Sequence, residues 1–393
     1  MSIFLNQLGI VNGLGRGCGA VCDAMLAGDR RGLSERMTLV RGAEVPVGAV
    51  TGDLPAIDAR HRDRDSRNNR LLLAALEEIR EAVETVIARH GSERVAVVLG
   101  SSTSGILEGE AAVAAHYREG RIPQDFHYLQ QEVGSPSEFL ARELQLTGPS
   151  LTLSTACTSS AKAMISAARL IQAGLCDAAL AGGVDSLCRL TINGFDALES
   201  MSEGYCNPFS RNRDGINIGE GATLFLMSRD EGPLRLAGWG ESSDAHHISA
   251  PDPEGVGAEA AMRAALRRAG MGPEAVSYLN AHGTGTMKND LMESHAVTRV
   301  FGKDLPVGSS KGMIGHTLGA AGATEAALCW LSLHTDFGAG RLPPHVWDEV
   351  PDTELAPLRL VGPAERLGPE RSPVAVSNGF AFGGSNAVLV IAA

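Results

Sequence analysis

A cysteine and two histidines, far apart in the chain, have the residue types of a nucleophile and its hydrogen-bond donors. Cys157 stands where the apolar run Ser150-Leu151-Thr152-Leu153-Ser154 gives way to a helical pattern opening Thr158-Ser159-Ser160-Ala161. A thiol at a helix N-terminus meets unpaired N–H groups and the positive end of the helix dipole, which favour a thiolate. His282 lies in Asn280-Ala281-His282-Gly283-Thr284-Gly285-Thr286, and His316 in Lys311-Gly312-Met313-Ile314-Gly315-His316. A nucleophile with two distant histidines suits covalent catalysis. Taken singly, each residue has an ordinary reading: Cys157 as a buried structural thiol, His282 as a core histidine satisfied by main chain, Lys311 as a surface lysine. The Gly-Thr-Gly-Thr after His282 weighs against the second, because so much glycine is costly to order unless main chain must approach a ligand closely. Glu325 follows His316 by nine residues in an Ala-rich stretch with no solvating neighbours. A lone buried carboxylate is costly, so a cationic partner is expected, with Lys311 the candidate.

The elements that must position these residues alternate. Residues 68–90 read as one helix with a broad apolar face from Leu71 to Val86. Val95-Ala96-Val97-Val98-Leu99, closed by Gly100, reads as a buried strand. A helix follows Ser104-Gly105, and another opens near Ser135-Pro136-Ser137 with Glu138 in its first turn. Then come a strand at 151–155, the Cys157 helix to about Ala173, and strands at 178–181 and 222–227. A second series starts near Leu234, with a strand at 234–240, a helix at 257–268 and a strand at 276–279 running into His282. It continues with a helix at 290–301, a strand at 305–308 running into Lys311, a helix at 318–333 and closing strands at 374–377 and 387–391. The Pro-rich stretch from Arg341 to Pro369 reads as a surface excursion. Strands alternating with helices of this length indicate α/β architecture with largely parallel sheets. The two series predict related halves, residues 1–230 with Cys157 and 231–393 with His282 and His316, although no repeat is visible in the residues themselves. Cys157, His282 and Lys311/His316 each follow a strand, where open α/β sheets place their sites.

Composition narrows the function classes. Glycine makes up 47 of 393 residues against only 4% aromatics, which suits close-packed small-residue helices and tight turns. A formal net charge of −12 weighs against nucleic acid as a partner. The seven cysteines include no C-x-x-C pair, which argues against a disulfide framework or a zinc site, and Cys18 and Cys22 read as packing residues. The chain opens without a basic, then apolar leader and has no run of 18 apolar residues, so a soluble cytoplasmic protein that spans no membrane is expected.

Together these segments resemble the β-ketoacyl-acyl-carrier-protein synthases, elongating condensing enzymes of the thiolase-like superfamily. The similarity rests on Thr155-Ala156-Cys157-Thr158-Ser159, on Arg213-Asp214-Gly215 through Gly219-Glu220-Gly221-Ala222, and on Ala281-His282-Gly283-Thr284-Gly285-Thr286. Lys311, Gly315-His316-Thr317 and Ala320-Ala321-Gly322 follow, then Asn378-Gly379-Phe380-Ala381-Phe382-Gly383-Gly384-Ser385-Asn386. The resemblance implies a five-layer αβαβα fold. It implies that Cys157 takes an acyl chain from carrier-protein phosphopantetheine, after which malonyl-carrier protein loses carbon dioxide and its carbanion attacks the acyl-Cys157 carbonyl. On the same grounds His282 and His316 donate to the malonyl thioester oxygen, and the main-chain N–H groups of Cys157 and Phe380 form the oxyanion hole. Phe380 gates the nucleophile, Lys311 with Glu325 sets the electrostatics, Thr284 and Thr286 contact pantetheine, and Thr103 falls at the acyl pocket. No metal is implied, and no cofactor beyond the carrier's phosphopantetheine.

Several positions depart from housekeeping fatty-acid enzymes of this kind: Lys162, Ser210, Met287-Lys288 and Thr103. They leave open a specialised ketosynthase of an aryl-polyene or secondary-metabolite pathway, paired with a chain-length-factor homologue in place of a homodimer. A non-catalytic partner subunit and a coenzyme A-dependent thiolase are weaker readings. The first is opposed by the presence of Cys157, His282 and His316 together, the second by Gly383-Gly384-Ser385 where a second catalytic cysteine belongs. Carrier proteins of the family are acidic, and residues 60–70 hold five arginines and two aspartates. This stretch is therefore predicted as the docking surface, with Arg62, Arg64, Arg67 and Arg70.

Overall fold

The computed structural model describes residues 2–368 and 373–393. Runs of small and β-branched residues form the main strands of the first half: β1 (Phe4–Asn12), β2 (Val95–Gly100), β3 (Ser150–Leu153), β4 (Ala178–Asp185) and β5 (Gly221–Ser228). Every residue of β2, β4 and β5 is buried, as a strand covered on both faces requires. The order is β3-β2-β4-β5-β1; β2 runs parallel to β3 and β4, and β5 antiparallel to β4 and β1. The second half has β6 (Leu234–Ser243), β7 (Tyr278–Asn280), β8 (Pro306–Gly308), β9 (Val374–Ala381) and β10 (Ser385–Ala392). Their order, β8-β7-β9-β10-β6, repeats the first with the same strand directions. Kinship hidden in the residues is plain in the topology. The two sheets meet where Phe4 and Leu5 of β1 pair with Arg235 and Leu234 of β6.

Helices cover and separate the sheets. They include α1 (Arg67–Glu77), α2 (Arg80–His90), α3 (Ser159–Gln172), α4 (Val256–Ala269), α5 (Met287–Phe301), α6 (Lys311–Ile314) and α7 (Ala321–Leu333). α3 and α7 pack against each other between the sheets, within an apolar core that draws on both halves. α1 lies on the outer face of the first sheet and α4 on that of the second, each over its own core. This is the five-layer arrangement. All of α7 is buried, and its small residues let α3 approach closely: a Cβ on Gly322 would stand 2.7 Å from that of Ala161.

Three expectations need correction. The sheets are mixed, because β9 and β10 are joined only by the turn Phe382–Gly384, and so short a link forces antiparallel pairing. The helix expected over 68–90 breaks at Ile79, whose backbone leaves the helical region at φ −126°, so the buried Ile79 and the Arg80–Glu143 ion pair are both accommodated. The Pro-rich stretch begins as core: Leu342–His345 is buried, and His345 accepts the Ser309 N–H at Nδ1 and faces the Pro208 carbonyl with Nε2. Pro369, its expected end, lies outside the described residues. Among the described residues, no helix is long and apolar enough to cross a membrane.

Candidate active site

The chain leaves β3 and turns sharply before α3. Ala156 adopts a left-handed backbone (φ 51°), a strain of about 1 kcal/mol for a residue with a Cβ. Hydroxyls hold this turn: Ser159 Oγ accepts the Thr155 N–H at 2.8 Å and donates to the Ala156 carbonyl at 2.6 Å, and Thr158 Oγ1 donates to the Thr155 carbonyl at 2.8 Å. Cys157 therefore sits just before α3 in a buried position. Burial pushes its thiol up to about 12, against the pull of the Lys311 ammonium. The expected resting thiolate is thus corrected: desolvation disfavours the charged form, and the resting side chain is a thiol.

His282 follows β7 and is held by α5. Glu293 accepts the N–H groups of His282 and Gly283 at 2.8 and 2.7 Å, and Asp290, one turn earlier, accepts those of Thr284 and Gly285 at 3.1 and 3.2 Å. These two buried carboxylates fasten the Gly-Thr-Gly-Thr main chain, and sequence reasoning missed both. Burial raises each, Glu293 to about 7. Their signal was weak: two acids three apart in an amphipathic pattern are ordinarily a solvated face.

The proton positions of the histidines follow from their partners. His316 Nδ1 accepts the Leu318 N–H at 3.2 Å, so the proton of its neutral ring is on Nε2, which lies 3.0 Å from Cys157 Sγ. His282 Nδ1 faces Lys311 Nζ at 3.4 Å, and an ammonium can only donate, so here too Nε2 carries the proton. Burial, then the Lys311 charge, holds both imidazoles well below their usual range and therefore neutral. The rings stand nearly perpendicular with centroids 5.3 Å apart. Lys311 Nζ also donates to the His282 carbonyl and to Glu325, and both charged side chains are almost fully buried. Cys157, His282 and His316 place their ligand atoms within 4.8 Å of one another, a reach a metal could bridge. The Lys311 ammonium, 3.4 Å from the His282 ring, opposes a cation there.

These residues floor a cavity of about 320 Å³ that Thr284 and Thr286 also line, their hydroxyls 2.9 Å apart. The main-chain neighbour of the Cys157 sulfur is Phe382, two residues on from the expected Phe380. Phe380 is still inside β9, its ring 6.1 Å from that of His282, whereas the Phe382 main-chain N–H is directed at the Cys157 sulfur and its ring packs on Phe195 at 5.4 Å. The first residue beyond the strand, unlike one within it, has an N–H free to turn toward a neighbour. Thr103 does not line this cavity. Its hydroxyl donates to Asp185 at 2.8 Å and accepts the Ser186 N–H. Asp185, also unforeseen, gathers the N–H groups of Ser102, Thr103 and Ala320 and the Ser101 hydroxyl, tying the loop after β2 to the start of α7.

The arginine stretch is not a free basic patch. Arg64 is buried and paired with Glu138, and Arg70 is paired with Asp65. Arg67 makes a fork onto fully buried Glu220, which also accepts the N–H groups of Val50 and Leu187. Arg62, Arg67 and Arg70 line a separate cavity of about 650 Å³, facing Asp53, Asp65, Glu108 and Asp125. Acids supplied from elsewhere in the chain cancel the local excess that the sequence suggested.

A duplicated five-layer fold, with a thiol at the head of one central helix and two neutral N–H imidazoles from the other half, defines a thiolase-like condensing enzyme. Residues 27–232 match the beta-ketoacyl synthase N-terminal domain and residues 235–345 its C-terminal domain. The 3-oxoacyl-[acyl-carrier-protein] synthase 2 of Staphylococcus aureus is 33% identical over 351 residues, 85% of each chain, and that of Coxiella burnetii 31% over 413 residues, 99% of this chain and 98% of its own. The ketosynthase ApeO of Xenorhabdus doucetiae, solved in complex with its chain length factor ApeC, superposes with a TM-score of 0.94 at 45% identity, covering 100% of this chain and 98% of that one. The chain belongs to the beta-ketoacyl synthase family and is an acyltransferase-class condensing enzyme.

Proposed function

We propose that this chain is the ketosynthase of a carrier-protein-dependent elongation system and works as a heterodimer with a chain-length-factor-like homologue. The observation that carries the chemistry is the pair of Nε2–H groups beside the Cys157 sulfur. In the first step Sγ attacks the carbonyl of an acyl thioester, and the N–H groups of Cys157 and Phe382 receive the oxyanion. The bond to the pantetheine sulfur breaks, and that sulfur leaves with the thiol proton. In the second step a malonyl thioester places its carbonyl oxygen on the two imidazole N–H groups. The bond to the carboxylate breaks, carbon dioxide leaves, and the electron pair forms an enolate held by both donors. Its carbon attacks the acyl-Cys157 carbonyl and displaces the Cys157 thiolate, which regains a proton from water. Thr284 and Thr286 hold the pantetheine. The chemistry draws on protein groups and thioesters alone, so neither a metal nor a small-molecule cofactor is required.

The heterodimer is supported by the ketosynthase solved with its chain length factor at 45% identity and by the ishigamide ketosynthase/chain length factor at 25%, TM-score 0.86, which covers 100% of this chain and 98% of its own. The repeated strand order supports reading residues 1–230 and 231–393 as the two halves of one catalytic unit. Seven free cysteines accord with a cytoplasmic location. A thiolase has less support, because among the described residues lining the cavity Cys157 is the only cysteine. The test is intact-protein mass spectrometry after exposure to acyl-loaded carrier proteins, with and without a candidate partner, together with carbon dioxide release from malonyl-carrier protein. Acylation confined to Cys157 and release that requires His282 are expected. No adduct with any acyl-carrier protein in either setting refutes the reading.

A further inference from the structure

The cavity above Cys157 carries an unusual balance of charge for the molecules it must admit. Its described lining includes Glu199, Asp214 and Asp244, while the histidines at its floor are neutral. Lys288 is the only cation among the described residues that line it. It is the second residue of α5 and is exposed, whereas Cys157 on the same cavity is buried, so Lys288 marks the outer end and Cys157 the inner. Among the described residues its ammonium has no ion-pair partner, unlike Arg64, Arg67, Arg70 and Lys311. Thr284 and Thr286 line the same cavity.

A pantetheine arm that delivers its thioester to Cys157 emerges at this outer end, and there it carries a phosphate. Without a cation, that anion faces carboxylates. The geometry points to Lys288 as the residue that receives the phosphate of the phosphopantetheine arm, a positioning and specificity role that rests on the ketosynthase reading above. Lys288 touches no reacting atom. It sets how tightly the arm binds, so its effect falls on KM and leaves the rate of the bond-breaking step to the histidines.

Two donors that differ by one phosphate isolate the effect: malonyl-phosphopantetheine and malonyl-pantetheine, with carbon dioxide release from the whole enzyme as the readout. The native protein is expected to show a KM about fivefold lower for the phosphate-bearing donor, the upper range for an exposed ion pair. Half-molar salt should erase this preference by screening. Lys288→Gln should abolish it and Lys288→Arg should retain it. A native enzyme without the preference, or a Lys288→Gln variant that keeps it, overturns the assignment. A Lys288→Gln effect seen only with carrier-bound malonyl also overturns it, since the contact is then to the carrier's surface. Native enzyme that releases no carbon dioxide from either donor or from malonyl-carrier protein fails at the ketosynthase reading itself.

Discussion

The buried Lys311–Glu325 pair lends itself to a double-mutant cycle whose outcome the structure fixes in advance. Both side chains are nearly sealed from water, at 1% and 2% exposure. Removing either partner leaves an uncompensated buried charge, at about 3–5 kcal/mol. Lys311→Met and Glu325→Leu are therefore each expected to lower the unfolding free energy by that amount. If the sites acted independently, the double variant would lose about 6–10 kcal/mol. It removes both charges, however, and leaves chiefly the His282 carbonyl without its donor, about 1–3 kcal/mol. Urea unfolding should therefore find the double variant more stable than either single one.

Activity should not recover with stability. Lys311 fixes the proton of His282 on Nε2, and without the ammonium the ring is free to carry it on Nδ1. Losing one donor to a developing oxyanion costs about 10²–10³-fold. Carbon dioxide release in the double variant should fall toward that range, while acylation of Cys157, which in the proposed mechanism uses the N–H groups of Cys157 and Phe382, should stay within a few-fold. Additive stability losses refute the pairing argument. A stable double variant with native carbon dioxide release refutes the tautomer argument.

The remaining expectations concern the nucleophile and its supports. Because burial raises the Cys157 thiol to about 12, the thiolate fraction grows with pH through the whole range below that value. Iodoacetamide labelling of the resting enzyme should then climb about tenfold per unit from pH 7 to 9, and a plateau below pH 8 contradicts this. Gly100→Ala puts a Cβ 2.2 Å from the Ser160 nitrogen at the head of α3, so Cys157 must shift. A loss of Cys157 acylation exceeding the loss of urea stability is expected, and native acylation refutes it. Arg67→Ala strands Glu220, which has no exposure, and should cost about 3–5 kcal/mol by urea unfolding with little change in KM for carrier-bound substrate. A large KM change in a fully stable protein restores the docking role.

What was legible in the sequence was what sits close together in it. Cys157 and His282 stand at strand exits and His316 just past the short α6, all beside glycines or hydroxyl residues, so their placement could be read from neighbours. Asp185, Asp290 and Glu293 could not, because each is satisfied by main-chain N–H groups of another element, and an acid's fate depends on groups that composition does not reveal. The pairing of the arginines at 64 and 67 was hidden for the mirror reason. Their local charge was counted, while Glu138 and Glu220, which neutralise them, lie far along the chain. Phe380 was chosen over Phe382 because a strand's last residue cannot be located from apolar pattern alone, and two residues decide whether an N–H stays within the strand or turns toward the sulfur. The antiparallel strands were missed because a helix-and-strand count does not show that three residues join β9 to β10.

The site at rest is almost free of charge where the chemistry happens. The thiol keeps its proton and both imidazoles are neutral, and the one strong ion pair lies behind them, reaching His282 through Nδ1. In the proposed mechanism charge therefore arises only during reaction, as an oxyanion beside Cys157 or an enolate beside the histidines, and fixed donors already stand at each place. That division maps onto the two halves. In the proposed mechanism the nucleophile and one oxyanion N–H come from the first, the second oxyanion N–H and both imidazoles from the second, and contacts such as Thr158 Oγ1 to Ser385 Oγ at 3.0 Å join them. Neither half holds both a nucleophile and its enolate donors, so the chemistry depends on the fit of α3 against α7. This is why a single methyl group at Gly100 or Gly322, which bonds to no substrate, is placed to disturb the reaction.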